Sequence, residues 1–157
     1  MMDLIRENVQ SYPRPPSLQA VPQRIVIILD GQVIADTTDA FRVLETHHAP
    51  TYYLPRSGVT ATLLPAAGSS SCEWKGVARY YDVAFGAVTA RRAAWAYDRP
   101  TAGFGPIAGY IAFYASQMEA CFVAKERVIP QPGDFYGGWV TSNLDGIPKG
   151  AQGTEHW

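Results

Sequence analysis

Short β-branched and aromatic runs, separated by turn residues, dominate the pattern of apolar and polar positions and predict a domain built mainly from β-strands. Ile25-Val26-Ile27-Ile28-Leu29 and Val33-Ile34-Ala35 read as two strands. The Asp30-Gly31 pair between them suits the left-handed conformations of a tight hairpin turn. Ala40 to Glu45 is too short for periodicity to separate helix from strand. Thr51-Tyr52-Tyr53-Leu54 is aromatic and β-branched before Pro55, and Val59 to Leu64 alternates threonine with apolar residues as a half-buried strand does. A loop is expected over residues 66–71, followed by a β-leaning run from Cys72 to Phe85. If that run is extended throughout, Cys72, Trp74, Gly76, Ala78 and Tyr80 share one face. Glu73, Lys75, Val77, Arg79 and Tyr81 then share the other. Arg92 to Tyr97 brings Trp95 and Tyr97 together. Ile107 to Phe122 fits either one helix or two strands around Ser116-Gln117, and Tyr110 and Tyr114 share a face in both.

The ends of the chain break this pattern. Pro13, Pro15, Pro16 and Pro22 forbid a helix or a central strand, so residues 1–24 are expected to form an extended, proline-rich arm. Residues 25–128 form the β core. Residues 129–157 are rich in glycine and proline yet carry Phe135, Tyr136 and Trp139. That mixture predicts an irregular segment pinned by aromatics on the core or on a partner subunit.

Composition narrows the functional classes. A chain of 157 residues fits a single domain with one core. Thirteen Lys plus Arg against 14 Asp plus Glu give a net charge of -1, so no strong field draws the molecule to nucleic acid or anionic membrane. The apolar runs have the length of strands rather than of a bilayer, and the acidic start Met1-Met2-Asp3-Leu4-Ile5-Arg6-Glu7 lacks the apolar stretch of a secretory signal. A cytoplasmic location is expected, with Cys72 and Cys121 kept as thiols.

Several chemistries find little support in the residue pattern. His47, His48, His156 and two isolated cysteines do not make a compact zinc set, and His47-His48 before Ala49-Pro50 reads as an exposed loop pair. No metal and no cofactor is therefore expected. Cys72 would serve as a nucleophile only with a base and positive charge nearby. Lys75 is close in sequence but falls on the opposite face of a regular strand, so burial is the favoured reading, as it is for Cys121. Gly103-Phe104-Gly105 and Gly68-Ser69-Ser70-Ser71 lack the spacing of a phosphate-binding loop. The carboxylates are scattered rather than clustered for two-metal chemistry. The aromatic set is more informative. Tyr52, Tyr53, Trp74, Tyr80, Tyr81, Trp95, Tyr97, Tyr110, Phe113 and Tyr114 supply core, but their polar tips also suit a pocket wall to which Glu45, Lys75 and Arg79 add charge.

Stretches along residues 25 to 128 carry a family resemblance: Val33-Ile34-Ala35-Asp36-Thr37, Arg42-Val43-Leu44-Glu45, Thr51-Tyr52-Tyr53-Leu54-Pro55, Cys72-Glu73-Trp74-Lys75-Gly76-Val77-Ala78-Arg79-Tyr80-Tyr81, Ala94-Trp95-Ala96-Tyr97 and Ile107 to Tyr114. They resemble the family known as domain of unknown function 427, also labelled nucleotidyltransferase-like. Gly137-Gly138-Trp139-Val140-Thr141-Ser142 resembles an extension found in a subgroup. The resemblance implies a compact single domain of antiparallel sheets similar to the β-tent class, with at most one or two short helices and ligand sites in the cleft between sheets. It implies a metal-free member, because the paired cysteines that hold zinc in many β-tent proteins are absent, and it gives Glu73 where many members have proline. By the same resemblance, Glu45, Tyr53, Cys72, Lys75, Trp95, Tyr110 and Tyr114 are the pocket candidates.

Three functions are compatible with these readings. The leading one is a domain that binds a small polar or anionic molecule in an aromatic cleft around Lys75. The second is an enzyme with Glu45 or Glu73 as acid or base and Lys75 as electrostatic stabiliser. The third is a homo-oligomeric module, such as a homodimer, whose terminal segments embrace a partner subunit.

Overall fold

The computed structural model describes residues 3–72, 74–133, 135–154 and 157. Glu73 and His156 therefore lie outside the described residues. The proline-rich stretch is tied to the rest of the chain. It holds β1 (Glu7–Asn8), a 3-10 turn at Val9–Ser11 and β2 (Ser17–Val21). β2 is the edge of a three-stranded sheet, a place where the prolines at 16 and 22 cost no ladder bond, so this part of the arm belongs to the core. Next come β3 (Ile25–Leu29) and β4 (Gln32–Thr37), joined through Asp30 at φ 52° and Gly31 at φ 69°, the paired left-handed residues of a tight hairpin. Ala40 to Glu45, undecided in the sequence, is strand: β5 (Ala40–Leu44) lies between β2 and β6 (Thr51–Tyr53).

The second large sheet is a meander of β7 (Thr62–Cys72), β8 (Gly76–Phe85), β9 (Val88–Ala96) and β10 (Ala112–Phe113). Two expectations change here. Residues 66–71 are not a loop but the far half of β7, which shifts register between Pro65 and Ser69. The run 72–85 is not one strand, because the chain reverses between Cys72 and Gly76, which become cross-strand partners. The stretch 107–122 is resolved as strands, β10 and β11 (Ala120–Val123), around a 3-10 turn at Ala115–Gln117. β11 pairs with β3 and with β12 (Glu126–Arg127), completing a sheet in the order β12-β11-β3-β4. Among the described residues, helical structure is limited to four short 3-10 segments, and no helix is long and apolar enough to cross a membrane.

The C-terminal segment adds β13 (Ile129–Pro130), β14 (Trp139–Val140) and β15 (Leu144–Asp145), the last pairing in parallel with β1. Its anchor is Trp139, 1% exposed, which stacks on Tyr52 at 5.1 Å and donates its indole N–H to the Phe113 carbonyl at 3.0 Å. The segment thus packs on the core of its own chain. That core gathers Ile25, Ile27, Ile34, Leu54, Val83, Ile111 and Phe113. A second cluster, built from Val43, Tyr53, Ala78, Tyr80, Trp95, Tyr97 and Phe104, backs the candidate site.

Candidate functional site

A cavity of about 390 Å³ opens between the sheet of β5 and β6 and the sheet of β7 to β9. β5 and β6 contribute Val43, Thr51 and Tyr53. β8 turns Ala78 and Tyr80 inward by strand alternation, while Val77 and Arg79 face solvent. Trp95, directly across the ladder from Tyr80, comes from β9. The rings interlock: Trp95 lies 6.4 Å from Tyr53, edge to face, and 4.6 Å from Tyr114. The Tyr80 hydroxyl bonds Ser70 at 2.8 Å, and that of Tyr114 donates to the Phe135 carbonyl at 3.0 Å.

The reversal of the chain between Cys72 and Gly76 sets the charge of the site. Because the chain reverses there, Lys75 does not fall on the face opposite Cys72. Its ammonium reaches back to the sulfur, with Nζ 3.2 Å from Sγ. The turn is fastened from outside by Thr101, whose N–H donates to the Lys75 carbonyl at 3.0 Å and whose hydroxyl donates to the Trp74 carbonyl. Lys75 is only 9% exposed and lies 5.8 Å from the centre of the Tyr97 ring. Among the described residues no carboxylate stands within ion-pair distance of it.

His48 is the residue the sequence reading misplaced. It is not an exposed loop histidine but a half-buried wall of this cavity. Burial, with the charges of Lys149, Lys75, Arg14 and His47, pushes its pKa down to about 4, so the imidazole is neutral around pH 7. Its tautomer follows from Gln131, 2% exposed. The Gln131 carbonyl oxygen accepts the Ala49 N–H at 2.9 Å, and its amide nitrogen faces the Lys149 carbonyl at 2.9 Å and His48 Nδ1 at 3.2 Å. An amide nitrogen only donates, so Nδ1 accepts and the His48 proton resides on Nε2.

The C-terminal segment closes the cavity with Phe135, Tyr136, Gly137 and Lys149. Tyr53, Tyr97 and Tyr114 stay protonated. Burial pushes Tyr53 and Tyr97 well above the ordinary tyrosine value, and burial with the nearby Tyr80 takes Tyr114 up to about 12. They act as hydrogen-bonding walls rather than bases.

Of the pocket candidates, Glu45, Tyr53, Cys72, Lys75, Trp95 and Tyr114 line this cavity together. Tyr110 does not. It follows Gly109, at φ 74°, at the end of a 3-10 turn, so neither helical nor strand spacing links it to Tyr114, and its ring packs on Phe41 at 5.7 Å. Arg79 is also outside, paired on the surface with Asp98 at 2.9 Å. His48, Gln131, Gly137 and Lys149 were missed. Their common signal was their place in, or against, the glycine- and proline-rich C-terminal segment, whose aromatics marked it as packed.

Fold and site together define a β-sheet domain with an aromatic, cation-bearing cavity. The chain belongs to the family described as a domain of unknown function (DUF427), whose model matches residues 17–124. The match starts at the first residue of β2 and ends before the segment that closes the cavity. No curated protein matches the chain.

Proposed function

We propose that the cavity binds a small anionic molecule, its charged group on the Lys75 ammonium and its body against the aromatic wall. The carrying observation is the burial of Lys75 without a carboxylate partner among the described residues. A cavity of about 390 Å³ falls in the range that holds metabolite-sized ligands. Lys149 adds a second cation to the wall, whereas neutral His48 offers hydrogen bonding without charge. A thermal-shift screen of small acids on the wild type, Lys75→Ala and Trp95→Ala tests this reading. Stabilisation by an acid that disappears in both variants, with folds intact by circular dichroism, supports it; hits that persist in both contradict it.

Glu45 lines the same cavity, and this favours the second reading, in which its carboxylate moves a proton on the bound anion while Lys75 steadies developing negative charge. Turnover of a bound acid that stops in Glu45→Gln, with binding retained, would select that reading. The other acid considered, Glu73, lies outside the described residues.

A further inference from the structure

We propose that Cys72 is a nucleophile of this cavity, forming a covalent bond with small carboxylates that carry an electrophilic carbon. The inference rests on the anion-binding reading and adds a reactive atom to it. Two independent features meet at the sulfur. Cys72 is half-buried and lines the cavity, so a bound molecule can reach it. Lys75, which is 9% exposed, aims its ammonium into the same space. An ammonium has three N–H donors, and the described residues take one of them, through Sγ at 3.2 Å. Its remaining donors can bind the carboxylate of a guest and hold it beside the sulfur. The same side chain would thus hold the electrophile within reach of the nucleophile. Cys121 is the built-in contrast. It is 1% exposed among the apolar residues of the main core, and burial pushes its thiol up to about 12.

Iodoacetate and iodoacetamide make a suitable probe pair, equal in shape and differing in charge. In each, the sulfur attacks the methylene carbon, an S–C bond forms, the C–I bond breaks and iodide leaves with the bonding electrons. The thiol proton passes to water. The expected result is one added group per chain, at Cys72 and not at Cys121, by intact mass and peptide mapping. The preference for iodoacetate over iodoacetamide should exceed that of free cysteine by about tenfold, because a cation-lined cavity concentrates the anionic reagent. Lys75→Gln should lower the ratio most of the way to that of free cysteine, with Lys149 left to supply the remainder, and Cys72→Ser should abolish labelling with the fold intact by near-ultraviolet circular dichroism. An unreactive Cys72, or a reagent ratio equal to that of free cysteine, overturns the proposal. Benzoate, an inert carboxylate, separates the two readings. If benzoate stabilises the protein but Cys72 stays unreactive, anion binding stands and the nucleophile falls. If benzoate neither stabilises the protein nor slows labelling, both fall.

Discussion

Gly137 lies so close to the indole of Trp95 that a Cβ at that position would stand 2.0 Å from Cη2 and 2.9 Å from Cζ2. The C-terminal segment can therefore cross the aromatic wall only as bare backbone, and in doing so it forms one side of the cavity. Gly137→Ala should force either the indole or the segment to move, at about 1–3 kcal/mol, the usual cost of overpacking. Urea unfolding followed by tryptophan fluorescence checks this: a lower midpoint is expected, and an unchanged one would mean the segment does not rest on Trp95.

The same segment is held at a second point by Gln131. Replacing it with leucine preserves much of the volume but leaves the Ala49 N–H and the Lys149 carbonyl without their partners. A loss of about 1–3 kcal/mol per stranded group is expected, with an unchanged denaturant slope if unfolding stays two-state. Lys149 and His48 should also lose their fixed positions, weakening acid binding in the same variant.

Trp139 ties the segment to the main core. Trp139→Ala removes the stacking on Tyr52 and the bond to the Phe113 carbonyl, and truncation of a buried tryptophan typically costs about 3–5 kcal/mol. Limited proteolysis should then cut within residues 129–157 before it cuts the strands, whereas simultaneous loss of both would indicate that the segment and the core unfold as one unit.

His48 gives the protein a distinct pH dependence. Its pKa is lowered by folding from 6.5 to about 4, so between these values the unfolded chain binds more protons than the folded one. Stability is therefore full above about pH 6.5, falls as pH is lowered through the window towards 4, and levels off below it. The slope due to this one group cannot exceed about 1.4 kcal/mol per pH unit. Other acids titrate nearby, so the informative quantity is the difference between the wild type and His48→Gln. The variant should show the flatter profile between pH 6.5 and 4, and parallel profiles would refute the assignment.

Much of the strand framework was legible because local rules decide it. Asp30-Gly31 encodes its hairpin almost by itself, and the alternation of Ala78 and Tyr80 against Val77 and Arg79 survives in β8. The reversal between Cys72 and Gly76 was hidden, since the run from Cys72 onward has the composition of a strand and its first glycine is Gly76 itself. Reading through that turn sent Lys75 to the wrong face and so removed the charge from beside Cys72. The face shared by Tyr110 and Tyr114 is lost for a related reason: a periodicity argument holds only where the backbone is regular, and Gly109 breaks it. The far wall of the cavity depends on contacts between distant parts of the chain, such as Gly137 on Trp95 and Gln131 on Ala49, which no local pattern encodes.

Lys75 is the centre of the proposed anion site, and the most direct test of that site is a comparison of benzoate with benzamide. Both have the same flat ring, and only benzoate carries the charge that Lys75 would meet. Titration of the wild type, followed by tryptophan fluorescence, should show benzoate binding more tightly. Lys75→Met should weaken benzoate by about tenfold or more, the cost of losing one charge-assisted hydrogen bond, and leave benzamide unchanged. Equal affinity for the two compounds in the wild type, or benzoate binding that survives Lys75→Met undiminished, would contradict it.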